Sequence, residues 1–170
     1  GGSLLKAGTD INLGVIRVGS VETDRKDSRN WSSTAILTEV GSRVVTVGDL
    51  SLVAGNNVNA RTAAVSSESG TLFVGAGNDV NITAGQAWQG TVTETFSSSS
   101  SFWRKKTSAS RTETDTVTAL SSNFTGKEVI IDAGNNINIT GSNVISDDYT
   151  QLTAGNNITI QSALERELTN

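Results

Sequence analysis

The chain of 170 residues contains no cysteine, no proline, no histidine and no methionine. Without cysteine it has no disulfide framework and no zinc–thiolate site. Without histidine or cysteine it can build neither a Ser-His-Asp triad nor a thiol nucleophile. The absence of proline suits an uninterrupted sheet, because each proline would remove one N–H from a ladder. Aromatic residues make up only 5% of the chain, so a core must be assembled from Val, Ile, Leu and Ala. No apolar run reaches the roughly 18 residues that a membrane-spanning helix needs. The net charge of −4 argues against general nucleic-acid binding. Asp147-Asp148 is the only adjacent acidic pair, and a turn between strands accounts for it without a paired-carboxylate site. No cofactor motif is present, and the chain reads as non-enzymatic.

What is present is a repeat. Five stretches share one pattern, an alternating apolar run, then Ala-Gly-Asn-Asn or a close variant, then alternation again: 5–13, 50–59, 74–82, 131–139 and 152–160. Alternation at period two is that of a strand with one buried face. The central Gly and Asn reach positive φ at low steric cost, which predicts a sharp corner between two strands. The structural corners are therefore Gly8, Gly55, Asn57, Gly77, Gly134, Asn136, Gly155 and Asn157. A hairpin would also accept such a corner, so the spacing has to decide. The glycines are separated by 47, 22, 57 and 21 residues, two of these steps being one unit and two roughly double. A fixed unit of this size predicts an all-β fold, a right-handed parallel β-helix of about seven coils of about 21 to 23 residues. Asn stacked on Asn from coil to coil predicts side-chain amide ladders. A calcium β-roll would instead need a Gly-Gly-x-Gly-x-Asp nonapeptide, so no metal or other cofactor is expected.

A longer period overlies the short one. Like coils recur at glycines 8, 77 and 155 and at 55 and 134, so the full unit is 69 to 79 residues: an insertion and two coils. The insertions are expected at about 14–43 and 86–125, as loops or hairpins leaving a single β-helical fragment that spans 1–170 and belongs to a longer protein. In the second, the Thr-alternating arms 91–96 and 111–118 flank five serines and the cluster Phe102, Trp103, Arg104, Lys105 and Lys106. Aromatic rings beside cations suit contact with a membrane surface or an anionic partner, and Trp31 with Arg25, Lys26 and Arg29 holds the equivalent place one unit earlier. Strand edges exposed at both ends predict end-to-end self-association. The triplets at 81–83, 138–140 and 157–159 match glycosylation acceptors, but strand alternation generates them unaided.

Several strings, Ala-Gly-Asn-Asp-Val-Asn-Ile-Thr-Ala-Gly (76–85), Glu-Val-Gly-Ser (39–42), Val-Asn-Ala-Arg-Thr-Ala-Ala-Val (58–65) and Ile-Thr-Gly-Ser-Asn-Val (139–144), resemble the haemagglutinin repeats of filamentous haemagglutinin-type exoproteins. The likeness is to the second repeat region of contact-dependent growth inhibition effectors and covers nearly the whole chain. It implies a protein secreted to the surface of a Gram-negative cell by an outer-membrane two-partner secretion transporter. It further implies a role in delivering a C-terminal toxin across the target cell's outer membrane, with that membrane or its proteins as a candidate partner. The alternative is a structural or adhesive rod of a filamentous adhesin. No binding residue carries over from the resemblance.

Overall fold

A computed structural model describes all 170 residues. Every regular element is a strand: β1 (Ser3–Ala7), β2 (Ile11–Leu13), β3 (Val15–Asp27), β4 (Asn30–Gly41), β5 (Arg43–Thr46), β6 (Leu50–Ala54), β7 (Val58–Arg61), β8 (Ala64–Ala76), β9 (Val80–Thr83), β10 (Gly85–Ser101), β11 (Arg104–Leu120), β12 (Asn123–Ala133), β13 (Asn136–Thr140), β14 (Asn143–Ala154), β15 (Asn157–Gln161) and β16 (Arg166–Thr169). The residues fall into two compact units, one of Gly1–Ile16, Glu39–Gly85 and Ala119–Leu164, the other of Arg17–Thr38, Gln86–Thr118 and Glu165–Asn170.

The first unit is a parallel β-helix. One wall runs β1-β6-β8-β12-β14 and a second runs β2-β7-β9-β13-β15, every pairing being parallel. A third wall is formed by β5 and the opening residues of β8, β12 and β14, which align Val44, Val65, Phe124 and Val144. In the first wall Ala7, Ala54, Ala76, Ala133 and Ala154 stack, and in the second Ile11, Val58, Val80, Ile137 and Ile158. The pitch of about 4.8 Å between paired strands therefore places like side chains on like, and the inward residues form continuous aliphatic columns. Leu50, Leu52, Leu72, Val74, Ile131 and Phe124 are wholly buried, and Phe124 is the largest of them. The second wall has five strands, so the helix has five coils and not about seven. The shortfall arises because the residues of the insertions form a separate sheet and contribute no coil.

The corner glycines owe their place to something other than the positive φ expected of them. The only residues with positive φ are Thr62 (49°) and Gly141 (55°). At Gly55, Gly77, Gly134 and Gly155 a Cβ would fall well inside 3.0 Å of the carbonyl oxygen of the preceding corner glycine. The same corners are hydrogen-bonded backbone to backbone, Gly77 N–H to Ala54 O at 3.0 Å and Gly134 N–H to Ala76 O at 2.9 Å. Successive coils approach so closely there that only a residue without a side chain fits.

Beside the glycines run amide ladders. Asn59 donates to Asn12 at 2.9 Å, Asn81 to Asn59 at 2.9 Å and Asn138 to Asn81 at 2.8 Å. At the corner itself Asn56 donates to Asp10 at 3.0 Å, Asn78 to Asn57 at 3.0 Å, Asn136 to Asp79 at 3.0 Å and Asn157 to Asn136 at 3.2 Å. In the first of these ladders the side chains of the middle rungs, Asn59 and Asn81, bond both neighbouring coils. Asn81→Ala removes two such bonds from a part-buried rung and is expected to cost about 1 to 3 kcal/mol in urea denaturation. Asn157, the last rung, loses only one bond on truncation and should cost measurably less.

Coils close in two ways. In the second and fourth coils a single left-handed residue, Thr62 or Gly141, turns the chain directly from the second wall to the third. Glu39, buried to 6% exposure, lies beside the first of these turns and is held by Arg61 at 2.7 Å, while Arg61 also donates to Ala84 O at 3.0 Å. In the first and third coils the chain leaves at the same position, after β2 and after β9.

The second unit is an antiparallel sheet in the order β16-β11-β10-β4-β3. It comprises two hairpins, β3–β4 and β10–β11, each closed by a two-residue turn, and the short β16. Residues 87–94 of β10 pair with 38–31 of β4, and 114–117 of β11 with 169–166 of β16. One face of β10 carries Thr91, Thr93 and Thr95, and two cross-strand hydroxyl pairs, Thr34 with Thr91 and Ser32 with Thr93, close at 3.2 Å. The other face carries Trp88, Val92, Glu94 and Phe96.

Candidate functional site

The cluster Phe102, Trp103, Arg104, Lys105 and Lys106 lies at the β10–β11 turn. Past Glu94 the strand β10 has run out of β4 to pair with, and β11 pairs with β16 only from Thr114, so the end of the hairpin is a two-stranded ribbon. Its arms are the serine run 97–101 and residues 104–110, all exposed. Phe102 and Trp103 are 91% and 89% exposed, and their rings meet edge to face at 4.9 Å between centroids. The turn itself does not call for them. Two-residue hairpin turns favour Asn, Asp and Gly in left-handed conformations, and neither residue here has positive φ. From Ser97 to Arg111 there are four cations and no acid, on a chain whose net charge is −4. Three of those cations, Arg104, Lys105 and Lys106, also discourage strand addition along the ribbon's open edge.

Trp31 is not part of this tip. It stands opposite Glu94 in the β4–β10 pairing, half-buried, and its indole N–H donates to Glu94 Oε2 at 3.0 Å. The strand from Glu94 to Phe102 covers about 27 Å at roughly 3.4 Å per residue. Arg25 and Lys26 lie exposed on β3.

What the sequence did not reveal is a groove beside Phe96. The β3–β4 turn is pinned on both sides: Asp27 accepts the Arg29 N–H and the Asn30 side-chain amide, both at 2.8 Å, and Asn30 Oδ1 accepts the Phe96 N–H at 2.8 Å. The Arg29 backbone bond, then the Asn30 amide, hold the Asp27 carboxyl below its ordinary pKa. The pinned turn lays the Arg29 guanidinium over the Phe96 ring, 4.0 Å from its centroid. Across the groove Arg111 reaches Glu94 Oε1 at 3.3 Å. The cavity so formed has a volume of about 440 Å³. Arg29 and Phe96 are 67 positions apart, and only the hairpin-to-hairpin register brings them together.

Comparison with known proteins gives the following. A profile described as hemagglutinin repeat matches residues 23–103 and 103–170. A 16S rRNA endonuclease CdiA of Enterobacter cloacae subsp. cloacae is 32% identical over 143 residues, which is 82% of this chain and 4% of that protein. A tRNA nuclease CdiA of Escherichia coli (strain STEC_O31) is 31% identical over 94 residues, 55% of this chain and 3% of that protein. The chain thus spans a few per cent of the length of the curated relatives it matches. No solved structure matches it significantly.

Proposed function

Because the chain belongs to the hemagglutinin-repeat family, we propose that it is a non-catalytic segment of a surface-displayed contact-dependent growth inhibition effector and assists passage of a C-terminal toxin across the target cell's outer membrane. The full-length protein would reach the surface through an outer-membrane two-partner secretion transporter. The nuclease activities in the relatives' names belong to proteins of which this region is a small part.

The observation that carries the reading is the contrast between the two ways of closing a coil. Thr62 and Gly141 show that the column needs one left-handed residue to continue. The two long hairpins are therefore not required for stacking, and the second of them ends in exposed Phe102 and Trp103 beside Arg104, Lys105 and Lys106. A ribbon that places apolar rings and cations at its end suits a contact made outside the column. The amide ladder that links four successive coils from Asn12 to Asn138 favours a second reading, a rod that sets reach or adheres.

Deleting 97–106 from the full-length effector separates the two when target-cell attachment and toxin delivery are scored independently. Delivery falling by an order of magnitude with attachment unchanged is the expected result. Loss of attachment would support the adhesive rod, and no effect on either would leave a passive spacer.

A further inference from the structure

We propose that the groove between the β3–β4 turn and the β10–β11 ribbon binds an acidic sugar residue, with Arg29 taking its oxyanion. The groove lies away from the Phe102–Trp103 tip, and the inference holds whether or not the tip assists toxin delivery.

Three features make this a built site. First, Arg29 is positioned before any ligand arrives. Its backbone is tied to Asp27, Asn30 ties the turn to the Phe96 N–H, and its guanidinium rests on the Phe96 ring. Contact with the ring restricts the guanidinium, whose planar fork of N–H donors grips a carboxylate or phosphate with two parallel bonds.

Second, Arg29 is the cation in the groove that forms no close ion pair; the one carboxylate that feels its charge, Asp27, is occupied by the Arg29 backbone N–H and the Asn30 amide. Arg111 lies 3.3 Å from Glu94 and 3.9 Å from Glu113, and Glu94 also accepts the Trp31 indole N–H. The site therefore offers one guanidinium without a close carboxylate partner and suits a ligand with a single acidic group.

Third, the rest of the lining matches a hydroxyl-rich ring. Phe96 and Ala109 present apolar surface to its C–H face, while Ser110 and the Glu94 carboxylate offer hydrogen-bond partners to its hydroxyls. A volume of about 440 Å³ lies at the small end of the range for ligand sites and accommodates a single sugar unit.

The test uses the whole chain with Trp88 and Trp103 replaced by Phe, so that Trp31, hydrogen-bonded to Glu94 at the groove's edge, is the sole indole reporter. D-glucuronate and glucose 6-phosphate are titrated as probes, separating carboxylate from phosphate recognition, with glucose and inorganic phosphate as the neutral and sugar-free controls. Expected is saturable quenching or shift of Trp31 emission by at least one acidic sugar at millimolar concentration, with glucose and inorganic phosphate inert. Arg29→Gln should weaken that binding about tenfold or more, and Arg29→Lys, which keeps the charge without the planar fork, should restore it only in part. Arg29 sits on an exposed turn, so both variants should keep the parent's far-ultraviolet circular dichroism. Equal binding of glucose, binding undiminished in the Gln variant, inorganic phosphate binding as well as the sugar phosphate, or no binding of either acidic sugar would each overturn the proposal.

Discussion

Gly77→Ala is expected to lower the melting temperature of the β-helix by roughly 6 to 12 °C, whereas Gly8→Ala should leave it unchanged or raise it slightly. At Gly77 the added methyl meets the carbonyl oxygen of Gly55, an atom of the backbone that no rotamer change can move aside. The corner is also bonded to the coil before it through the Gly77 N–H, which donates to Ala54 O, and to the coil after it through Ala76 O, which accepts the Gly134 N–H. Overpacking of this kind costs about 3 kcal/mol, and about 2 to 4 °C accompanies each kcal/mol in a protein of this size. At Gly8 a Cβ would meet nothing within 4 Å and φ is not positive. There alanine simply reduces the freedom of the unfolded chain, which stabilises by about 0.4 to 1 kcal/mol. Thermal unfolding followed by circular dichroism checks both. Because coils of a solenoid are coupled chiefly to their neighbours, Gly77→Ala should also broaden the transition or split it in two. Equal effects at the two glycines would refute the close-approach account.

Phe124→Ala is expected to cost about 3 to 5 kcal/mol in urea denaturation, as truncation of a fully buried aromatic does. Phe124 is the only aromatic side chain wholly inside the column, where it stands between Val65 and Val144 in the third wall. With valine on either side, the walls cannot close over the space that its ring fills. Phe102→Ala, at a position 91% exposed, should change stability by less than about 0.5 kcal/mol. Comparable losses at the two positions would mean that Phe124 is not packed as described.

These two predictions show where the sequence was legible. The five corner strings and their alternating flanks pointed to stacked parallel coils because their side-chain pattern repeats in register, and the register found is the one those strings imply. The amide ladders were readable for the same reason. The role of the corner glycines was misread because a sequence reports glycine without saying whether its freedom of φ or its missing side chain is in demand. The third wall was faint, since each of its segments sends few residues inward and Phe124 is embedded in Ser, Asn, Thr and Gly. The hairpin arms could be seen in the Thr alternation of 91–96 and 111–118. Their register against β4 could not, and with it went the pairing of Arg29 with Phe96 and the partial burial of Trp31.

The alternation of plain and hairpin-bearing coils has a geometric consequence. Each hairpin is carried by one coil in two, and the two hairpins pair with each other edge to edge, β4 with β10. The smallest stretch that holds both kinds of coil is therefore two layers. Duplications and losses in such a chain should occur in bilayers, since an odd number of layers gained or lost would set two coils of the same kind side by side.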